Sequence, residues 1–287
     1  MVKNNFQKKK IVITGSLGML GQELLDKLKG NSSFEVYGVD LKDFDIRNKD
    51  QVYSSLKKIK PDIIIHTAAY TAVDKAEVEK EFCMDVNAKG TENLALFAKE
   101  FDAILCYFST DFVFDGKKKE AYQETDEPNP INIYGLSKLE GEKAVIKNCK
   151  KYFILRISWL YGQHGKNFVY TMLELAKSKK EISVVVDQQG VPTWTNDIAS
   201  NVLDVINTEK YGVYHFVGKE KCSWNEFATK IMDIKKTGTK ILPALAKDMG
   251  RPAARPENSV LNSSKIDALL GRQVMPKWEE SLERFLK

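Results

Sequence analysis

The sequence predicts an α/β fold built on a doubly wound parallel sheet, with a smaller mixed α/β lobe. Over the first half of the 287-residue chain, short apolar runs typical of strands alternate with helical patterns, which favours parallel pairing through right-handed crossovers. These runs are continuously apolar, as in strands that are covered on both faces. A glycine-rich turn follows the first run, and in such sheets ligands bind beyond the carboxyl ends of the strands.

Each element of the first half has its own local signal. β-Branched residues followed by glycine mark the first strand, and leucines at helical spacing up to Gly30 mark the first helix. Pro61 ends the second helix, because proline cannot continue it. A later helix carries Tyr134 and Lys138 and ends near residue 148. The order predicts a Rossmann-type sheet with strands at 11–14, 34–39, 62–66, 103–108 and 153–157, and with earlier helices at 20–28, 49–59 and 85–101.

The second half is less regular and predicts the mixed lobe. Ser223 and Glu226 form a capping-box pattern at the start of a helix that extends to residue 234. Prolines around Pro243 and within 252–256 predict loops. The other predicted elements are helices at 167–179, 197–206 and 279–286, and strands at 182–186 and 212–217.

The length exceeds the usual size of a single core, so we expect two units. Residues 1–163 are predicted to form a dinucleotide-binding domain, which residues from about 190 to 217 complete. Residues 164–189 and 218–287 are predicted to form a substrate-binding lobe. The chain has no internal repeat and no low-complexity linker, which indicates that the lobe is assembled from segments that leave the sheet and return to it.

Composition and charge exclude several classes of function. The net charge is +5, and the basic runs at 8–10 and 117–119 lack interleaved aromatic residues, so no nucleic-acid partner is predicted. No apolar run approaches about 18 residues, which excludes a membrane-spanning helix. Glycines interrupt the apolar stretch behind the basic amino terminus, unlike the core of a signal peptide. These observations predict a cytoplasmic protein that does not bind membranes.

Cysteine and histidine spacing predicts no metal site. The four cysteines lie far apart without a Cys-x-x-Cys pair, so they are interpreted as reduced, mostly buried thiols. The three histidines have no partner at metal-ligand spacing. His66 and His215 lie in apolar runs and are predicted to be hydrogen-bonded core residues.

The turn after the first strand has the pattern G-x-x-G-x-x-G, formed by Gly15, Gly18 and Gly21. Glycines there let the backbone approach a pyrophosphate, and the following helix offers N–H donors and the positive end of its dipole. The spacing differs from G-x-G-x-x-G, and a plain turn without a ligand is the alternative. A dinucleotide site is predicted, and its other candidate contacts in this turn are Ser16, Leu17, Met19 and Leu20.

Acidic residues after the second strand concern the choice of cofactor. Asp40 can accept hydrogen bonds from an adenosine ribose, which favours NAD(H). Lys42 could instead neutralise a 2′-phosphate, which favours NADP(H), so both cofactors stay open. Asp45 and Ile46 are candidates for the adenine pocket, with a surface turn as the alternative.

Small and hydroxyl residues follow the third and fourth strands. The segment 66–70 contains small residues that would let the backbone approach the cofactor, although close helix packing would also explain them. The segment 108–111 ends the fourth strand, where a hydroxyl could face the nicotinamide side of the cleft or form a turn. The candidate cofactor contacts here are Ala68, Ala69, Tyr70 and Ser109.

Tyr134 and Lys138 are four residues apart and therefore share one face of their predicted helix. A tyrosine ionises near pH 10, so one that transfers protons benefits from a neighbouring cation. The lysine can also reach a cofactor ribose. The spacing alone also occurs by chance on solvated helices, but the glycine turn and the strand-end hydroxyls make the pair a candidate for catalysis.

The glycine turn, the strand-end Ser-Thr and the Tyr-x-x-x-Lys pair, in this order, resemble the extended short-chain dehydrogenase/reductase superfamily. Longer strings resemble the dTDP-4-dehydrorhamnose reductase family more specifically, from Ile11 to about Trp278. They are Tyr70-Thr-Ala-Val-Asp-Lys-Ala-Glu77, Ser109-Thr-Asp111 with Val113-Phe-Asp-Gly116, Asn129-Pro-Ile-Asn-Ile-Tyr-Gly135, Ser158-Trp-Leu-Tyr-Gly162, Lys166-Asn-Phe168 and Arg255-Pro-Glu-Asn-Ser259.

This resemblance implies NAD(P)H-dependent reduction of the C4 keto group of dTDP-4-dehydro-L-rhamnose to dTDP-L-rhamnose, a precursor of cell-surface polysaccharide. It implies that Tyr134 is the general acid and that Lys138 holds the nicotinamide ribose and lowers the Tyr134 pKa. By the same resemblance, Thr110 binds the keto oxygen, with Ser109 as the alternative, and Asp111 and Trp159 contact the dTDP-sugar. A homodimer and an assisting divalent cation stay open.

Two other functions remain compatible with the short motifs. A sugar-nucleotide epimerase or dehydratase of the same superfamily would recycle a bound cofactor, whereas a reductase consumes it. A non-catalytic regulatory subunit, resembling the β subunit of methionine adenosyltransferase, would keep the glycine turn and the Tyr-x-x-x-Lys pair. Trp159 and the string Asp74-Lys-Ala-Glu77 resemble the reductase branch instead.

Overall fold

The computed structural model describes residues 8–287, so residues 1–7 of the predicted first domain lie outside the described residues. Its centre is a parallel sheet of six strands. From edge to edge, numbered in chain order, they are β10 (Gly212–His215), β5 (Tyr152–Ile157), β4 (Ile104–Thr110), β3 (Ile63–His66), β1 (Lys9–Thr14) and β2 (Phe34–Val39). The strand order reverses between β1 and β3, which places the crevice for a ligand at the carboxyl ends of these strands.

The described residues form eleven α-helices, some of which cover the two faces of the sheet. They are α1 (Met19–Lys29), α2 (Lys49–Ile59), α3 (Val73–Ala76), α4 (Lys80–Met84), α5 (Gly90–Glu100), α6 (Ile133–Asn148), α7 (Phe168–Ala176), α8 (Thr195–Asn207), α9 (Trp224–Lys235), α10 (Ser264–Leu270) and α11 (Trp278–Phe285). A π-helical segment, Asp85–Lys89, joins α4 to α5. The helix predicted over 85–101 therefore begins earlier, at Lys80, and contains a change of helical pitch.

Alternate residues of each strand supply two separate cores. In β1, Ile11 and Ile13 belong to the core that α1 and α8 cover. Val12 belongs to the opposite core, beneath α2 and α5. Because successive side chains of a strand point to opposite faces, one continuously apolar run fills both cores. The prediction of a doubly wound parallel sheet is confirmed.

The smaller lobe is built on a pair of parallel strands, β7 (Glu181–Val185) and β12 (Lys240–Ala244). Helices α7, α9 and α11 pack on it through a third core that contains Phe227, Ile231 and Leu282. Ser223 and Glu226 form the predicted capping box at the start of α9. Four two-residue strands form two further pairs, β6 (Leu160–Tyr161) with β9 (Thr193–Trp194) and β8 (Gln189–Gly190) with β11 (Cys222–Ser223).

The prediction of a loop around Pro243 was wrong, because Pro243 lies within β12. Proline has no N–H to donate to a neighbouring strand, so it is found on edge strands and not in the middle of a sheet. Strand β12 pairs with β7 alone, in a two-stranded sheet, so the missing N–H interrupts no second ladder.

Helix α10 returns to the main sheet although it follows the substrate lobe in sequence. Its Ile266 packs in the core beneath α1 and α8, together with Val274 and Met275. The division into two domains stays a prediction, and these contacts place residues near 266–275 with the dinucleotide-binding side.

Candidate active site

A cleft of about 720 Å³ lies at the carboxyl ends of the central strands. It is lined by residues that follow five neighbouring strands, for example Gly15 after β1, Asp40 after β2 and Ala68 after β3. Its volume lies within the range of small-molecule and cofactor sites. The predicted site residues in its lining are Gly15, Leu17, Gly18, Met19, Leu20, Gly21, Asp40, Asp45, Ile46, Ala68, Ala69, Ser109, Thr110, Asp111, Tyr134, Lys138 and Trp159.

Two predicted cofactor contacts do not line the cleft. Ser16 is buried, and its N–H donates to the Val39 carbonyl at 3.1 Å. The hydroxyl of Tyr70 donates to Glu79 at 2.5 Å. The backbone N–H of Tyr70 donates to the side-chain amide of Asn87, and the backbone carbonyl of Tyr70 accepts from the same amide. The bond to Glu79 holds the Tyr70 side chain away from the cleft, and Ser16 is buried outside its lining.

Close packing of the turn requires Gly15 and Gly21. Gly15 has a φ of 70°, and a Cβ there would lie 2.5 Å from the backbone nitrogen of Ala68. A Cβ on Gly21 would lie 2.1 Å from the Gly15 carbonyl oxygen. At Gly18, by contrast, the one neighbour within 4 Å of a Cβ is the Gly15 oxygen at 3.2 Å, so a side chain there would fill the cleft. The turn is therefore a cradle that stays open because position 18 has no side chain.

The amino terminus of α1 completes an anion site. Gly18 is the N-cap, no side chain caps the helix, and its first turn contains no acidic residue. The first N–H groups of a helix have no acceptor within it, and the helix dipole adds positive potential. This arrangement fits the pyrophosphate of a dinucleotide.

The adenosine end of the cleft contains Asp40, Asp45 and Arg47. One Asp40 oxygen accepts the Leu17 N–H at 2.9 Å, which ties β2 to the glycine turn. The Arg47 guanidinium binds both oxygens of Asp45 and lowers the pKa of that carboxyl. Lys42 is exposed and does not line the cleft. Arg47 was missed in the sequence, where only its position two residues after Asp45 could have indicated it.

Lys138 is buried at the centre of the cleft wall. Its Nζ donates to the Phe108 carbonyl at 2.7 Å and lies 4.2 Å from the centre of the Tyr107 ring. Burial lowers the pKa of Lys138 to about 7, and the negative charge of Glu142 opposes this decrease. Near neutral pH the ammonium is therefore close to losing its proton.

Tyr134 lies on the same helix face, beside Thr110. Burial raises the pKa of Tyr134 above its usual value, and hydrogen bonding to Thr110 opposes the rise. Lys138 is not among the groups that shift the Tyr134 pKa, and its ammonium is bound to the Phe108 carbonyl, so the expectation that Lys138 lowers this pKa stays a prediction.

The hydroxyls at the end of β4 have different partners. Ser109 donates to Glu142 at 2.5 Å, beneath the cleft. Thr110 donates to one Asp111 oxygen at 3.1 Å, and the other oxygen of this buried carboxylate has no partner among the described residues. Burial raises the pKa of Asp111 to about 7. Thr110 and Asp111 therefore face the site, whereas the Ser109 hydroxyl is bonded to Glu142 beneath it.

A second cavity of about 190 Å³, which we call the annex, adjoins the cleft. Thr110, Asp111, Tyr134 and Trp159 line both spaces, so the annex and the cleft meet at the tyrosine. The annex is completed by residues that were not predicted as site residues, including Gln188, Trp224, Arg251, Arg255 and Ser259. The sequence signal for two of them was the string Arg255-Pro-Glu-Asn-Ser259.

Trp159 separates the two spaces in an unusual conformation. Its φ is 46°, a left-handed value that costs a bulky residue free energy and is typical of functional sites. The indole stacks on Trp224 at 3.6 Å between ring centres and covers Gly190. The residue is half-buried and lines both cavities.

We expect Trp159→Ala to raise KM for the sugar nucleotide and to leave the Kd for the cofactor unchanged. An indole suits the C–H face of a sugar, and its N–H can donate to an oxygen. The measurements are steady-state KM, cofactor Kd by fluorescence and the melting temperature. A large drop in melting temperature with an unaltered KM would instead make Trp159 a core residue, whose replacement by alanine lowers the free energy of unfolding by about 3–5 kcal/mol.

Over residues 8–287, no helix has the length and apolarity to cross a membrane. In the same part of the chain, no three His, Cys, Asp or Glu residues cluster as they would around a metal ion. The four cysteines are buried free thiols. His66 is bonded to Thr14 and Thr91 and His215 to Asn262, so both are hydrogen-bonded core histidines as predicted.

A doubly wound sheet whose cleft leads from a helix amino terminus to a tyrosine–lysine pair belongs to the short-chain dehydrogenase/reductase class. Comparison with known proteins is more specific. The family model described as "RmlD substrate binding domain" matches residues 9–287, and the chain belongs to this family.

Individual relatives are similar over nearly their full length. A dTDP-4-dehydrorhamnose reductase of Aggregatibacter actinomycetemcomitans is 40% identical over 287 residues, covering 96% of this chain and 97% of that protein. A crystal structure of a dTDP-4-dehydrorhamnose reductase from Bacillus anthracis, in complex with NADP, is 44% identical with a TM-score of 0.94, covering 97% of this chain and 98% of that one. A UDP-glucose 4-epimerase from Thermus thermophilus, 20% identical with a TM-score of 0.81 and coverage of 96% and 97%, shares the fold alone.

Proposed function

We propose that the chain is an NAD(P)H-dependent reductase that converts dTDP-4-dehydro-L-rhamnose to dTDP-L-rhamnose. The observation that carries this proposal is the position of Tyr134, where a dinucleotide-sized cleft meets a smaller annex. A cofactor in the cleft and a sugar in the annex would then meet at a proton donor. Full-length relatives named as this reductase support the substrate.

The cofactor is held, in this proposal, by the glycine turn and the residues around it. The α1 amino terminus binds the pyrophosphate, Asp40 accepts from the adenosine ribose, and Lys138 donates to the nicotinamide ribose. When bound, the reduced nicotinamide supplies a hydride to C4 of the sugar. The relative from Bacillus anthracis is in complex with NADP.

Tyr134 donates the proton that the new alkoxide requires. Because burial raises its pKa, the phenol is fully protonated at neutral pH, as a general acid must be. In this proposal the Thr110 hydroxyl turns from Asp111 and donates its hydrogen bond to the keto oxygen, where negative charge develops. Asp111, with one oxygen unpartnered, accepts from a sugar hydroxyl.

We expect the affinity for NADH to weaken as the pH rises above about 7, by up to about tenfold per pH unit. The reason is that ribose oxygens require the ammonium form of Lys138, whose pKa in the free protein is about 7. Lys138→Met should bind NADH weakly at every pH and lose this dependence. Because Asp111 titrates in the same range, Asp111→Asn is the control and should keep it. A pH-independent Kd in the wild type would contradict the role of Lys138.

The proposal is tested by mixing the protein with dTDP-4-dehydro-L-rhamnose and following nicotinamide absorbance with NADH and with NADPH. A reductase oxidises one molecule of NADH or NADPH for each molecule of sugar nucleotide that it reduces. An epimerase or dehydratase would change the sugar without net consumption, and a regulatory subunit would do neither. Those two outcomes would overturn the proposal.

The location and assembly of the protein are part of the proposal. A cytoplasmic location agrees with four buried free thiols, since oxidising compartments favour disulfides. Fractionation of the native cells would test it. A homodimer would be detected by sedimentation, and a divalent cation by the effect of a chelator on turnover.

A further inference from the structure

Glu142 lies beneath the cleft and does not belong to its lining. It follows Tyr134 and Lys138 at the same four-residue spacing on α6, so the three side chains share one helix face. Its side chain is 2% exposed. A carboxylate at this depth is costly unless its partners compensate for the lost water, so its partners indicate what it does.

The partners of Glu142 lie on two neighbouring strands. One carboxylate oxygen accepts from the Ser109 hydroxyl at 2.5 Å and from Arg156 Nε at 2.9 Å. The other accepts from Arg156 Nη2 at 2.7 Å. Ser109 of β4 and Arg156 of β5 are register partners in the sheet. Glu142 therefore binds the ends of both strands at one point.

These bonds continue a series between β4 and α6. The Tyr107 hydroxyl donates to the Lys138 carbonyl at 3.3 Å, and the Phe108 carbonyl accepts from Lys138 Nζ at 2.7 Å. Ser109 then donates to Glu142. Three successive residues of the strand are thus bonded to the helix, and the next residue along the strand is Thr110.

We propose that Glu142 is a positioning residue for the reductase site, fixing Thr110 on β4 relative to Tyr134 on α6 and placing a buried carboxylate one helical turn from Lys138. The inference rests on the proposed function for the identity of the reaction, whereas its contacts are independent of the substrate. Glu142 acts through its neighbours and does not touch the reacting atoms.

The electrostatic part follows from the groups that surround Lys138. Cys83 faces it from α4, His66 from β3 and Tyr107 from β4, and burial favours the neutral form of all three near neutral pH. On its own helix, Tyr134 is also kept neutral. Glu142 brings the negative charge, and it is paired with the Arg156 cation. The loss of that charge should therefore lower the Lys138 pKa further.

The test compares Glu142→Gln with Glu140→Gln, the same substitution on the same helix in an exposed pair with Lys143. For Glu142→Gln, we expect the pH above which NADH binding weakens to fall by about one unit, and kcat to fall about tenfold or more. Glu140→Gln should match the wild type in both measurements.

The effect of the hydrogen bond between Ser109 and Glu142 can be separated from the effect of the Glu142 charge. Ser109→Ala removes the bond to β4 but keeps the carboxylate, so we expect a lower kcat with an unshifted pH dependence of NADH binding. A shifted dependence in this variant would overturn the assignment of charge to Glu142.

Because Glu142→Gln leaves Arg156 buried without a counter-charge, that variant can fail to fold. The double variant Glu142→Gln/Arg156→Gln removes both charges, and its melting temperature shows whether it is folded. We expect a downward shift in the pH dependence of NADH binding that is smaller than in Glu142→Gln, because the Arg156 cation is removed as well. A folded variant with wild-type pH dependence and wild-type kcat would overturn the proposal. NADH binding needs no sugar nucleotide, so a wild type that shows no turnover would contradict the reductase function without affecting this result.

Discussion

Replacement of Tyr134 by phenylalanine is expected to lower kcat by about 10²–10⁴-fold, the usual contribution of a general acid. The phenol donates its proton only as the alkoxide forms, so the loss should affect the chemical step rather than ground-state binding. The Kd for NADH should therefore stay close to that of the wild type. Stopped-flow measurement of nicotinamide oxidation and a fluorescence titration with NADH would test both statements.

Tyr170→Phe is the matched control for this prediction. It removes a hydroxyl from α7, where Tyr170 is 40% exposed and lies outside the cleft and the annex. This variant should retain wild-type kcat. If Tyr134→Phe also retained most of its activity, water or another group would have to supply the proton.

Gly15→Ala is expected to destabilise the protein by about 2–5 kcal/mol and to abolish detectable NADH binding. A side chain in the left-handed conformation costs about 1–2 kcal/mol, and overpacking a filled site costs about 1–3 kcal/mol more. The new methyl group would meet the backbone of Ala68 at 2.5 Å, and a backbone cannot move aside as a flexible side chain can. Thermal unfolding and titration with NADH are the measurements.

Gly30→Ala provides the comparison, because no atom lies within 4 Å of a Cβ at Gly30 and its φ is −77°. It should melt close to the wild type and bind NADH normally. A stable Gly15→Ala variant with normal NADH affinity would show that the turn can be rearranged without loss of the cradle.

The fold was predictable because its signals are local. Each strand of the main sheet is a continuous apolar run, and α2 and β2 have the bounds that the sequence predicted. Strand β12 was missed because Pro243 looks like a loop residue until its single pairing partner is known. The earlier start of the helix that leads into α5 depends on contacts across α6, which local patterns do not contain.

The site was predictable where function depends on spacing along the chain, as in the glycine turn and the Tyr134–Lys138 pair. It was not predictable where the outcome depends on which side chain finds which partner. The Ser109 hydroxyl is hydrogen-bonded to Glu142, and the Tyr70 hydroxyl is hydrogen-bonded to Glu79. The burial that raises the Tyr134 pKa was not predictable either, because burial has no signature in a four-residue motif.

The return of α10 to the main sheet has a consequence for how the chain folds during synthesis. The core beneath α1 and α8 is completed by Ile266, Val274 and Met275, which are synthesised after all six strands of the main sheet. Until then, part of the apolar surface of the first-made half has no cover, and a chain shortened to residue 217 would keep that surface exposed. The two halves should therefore become stable together, as one cooperative unit rather than one after the other.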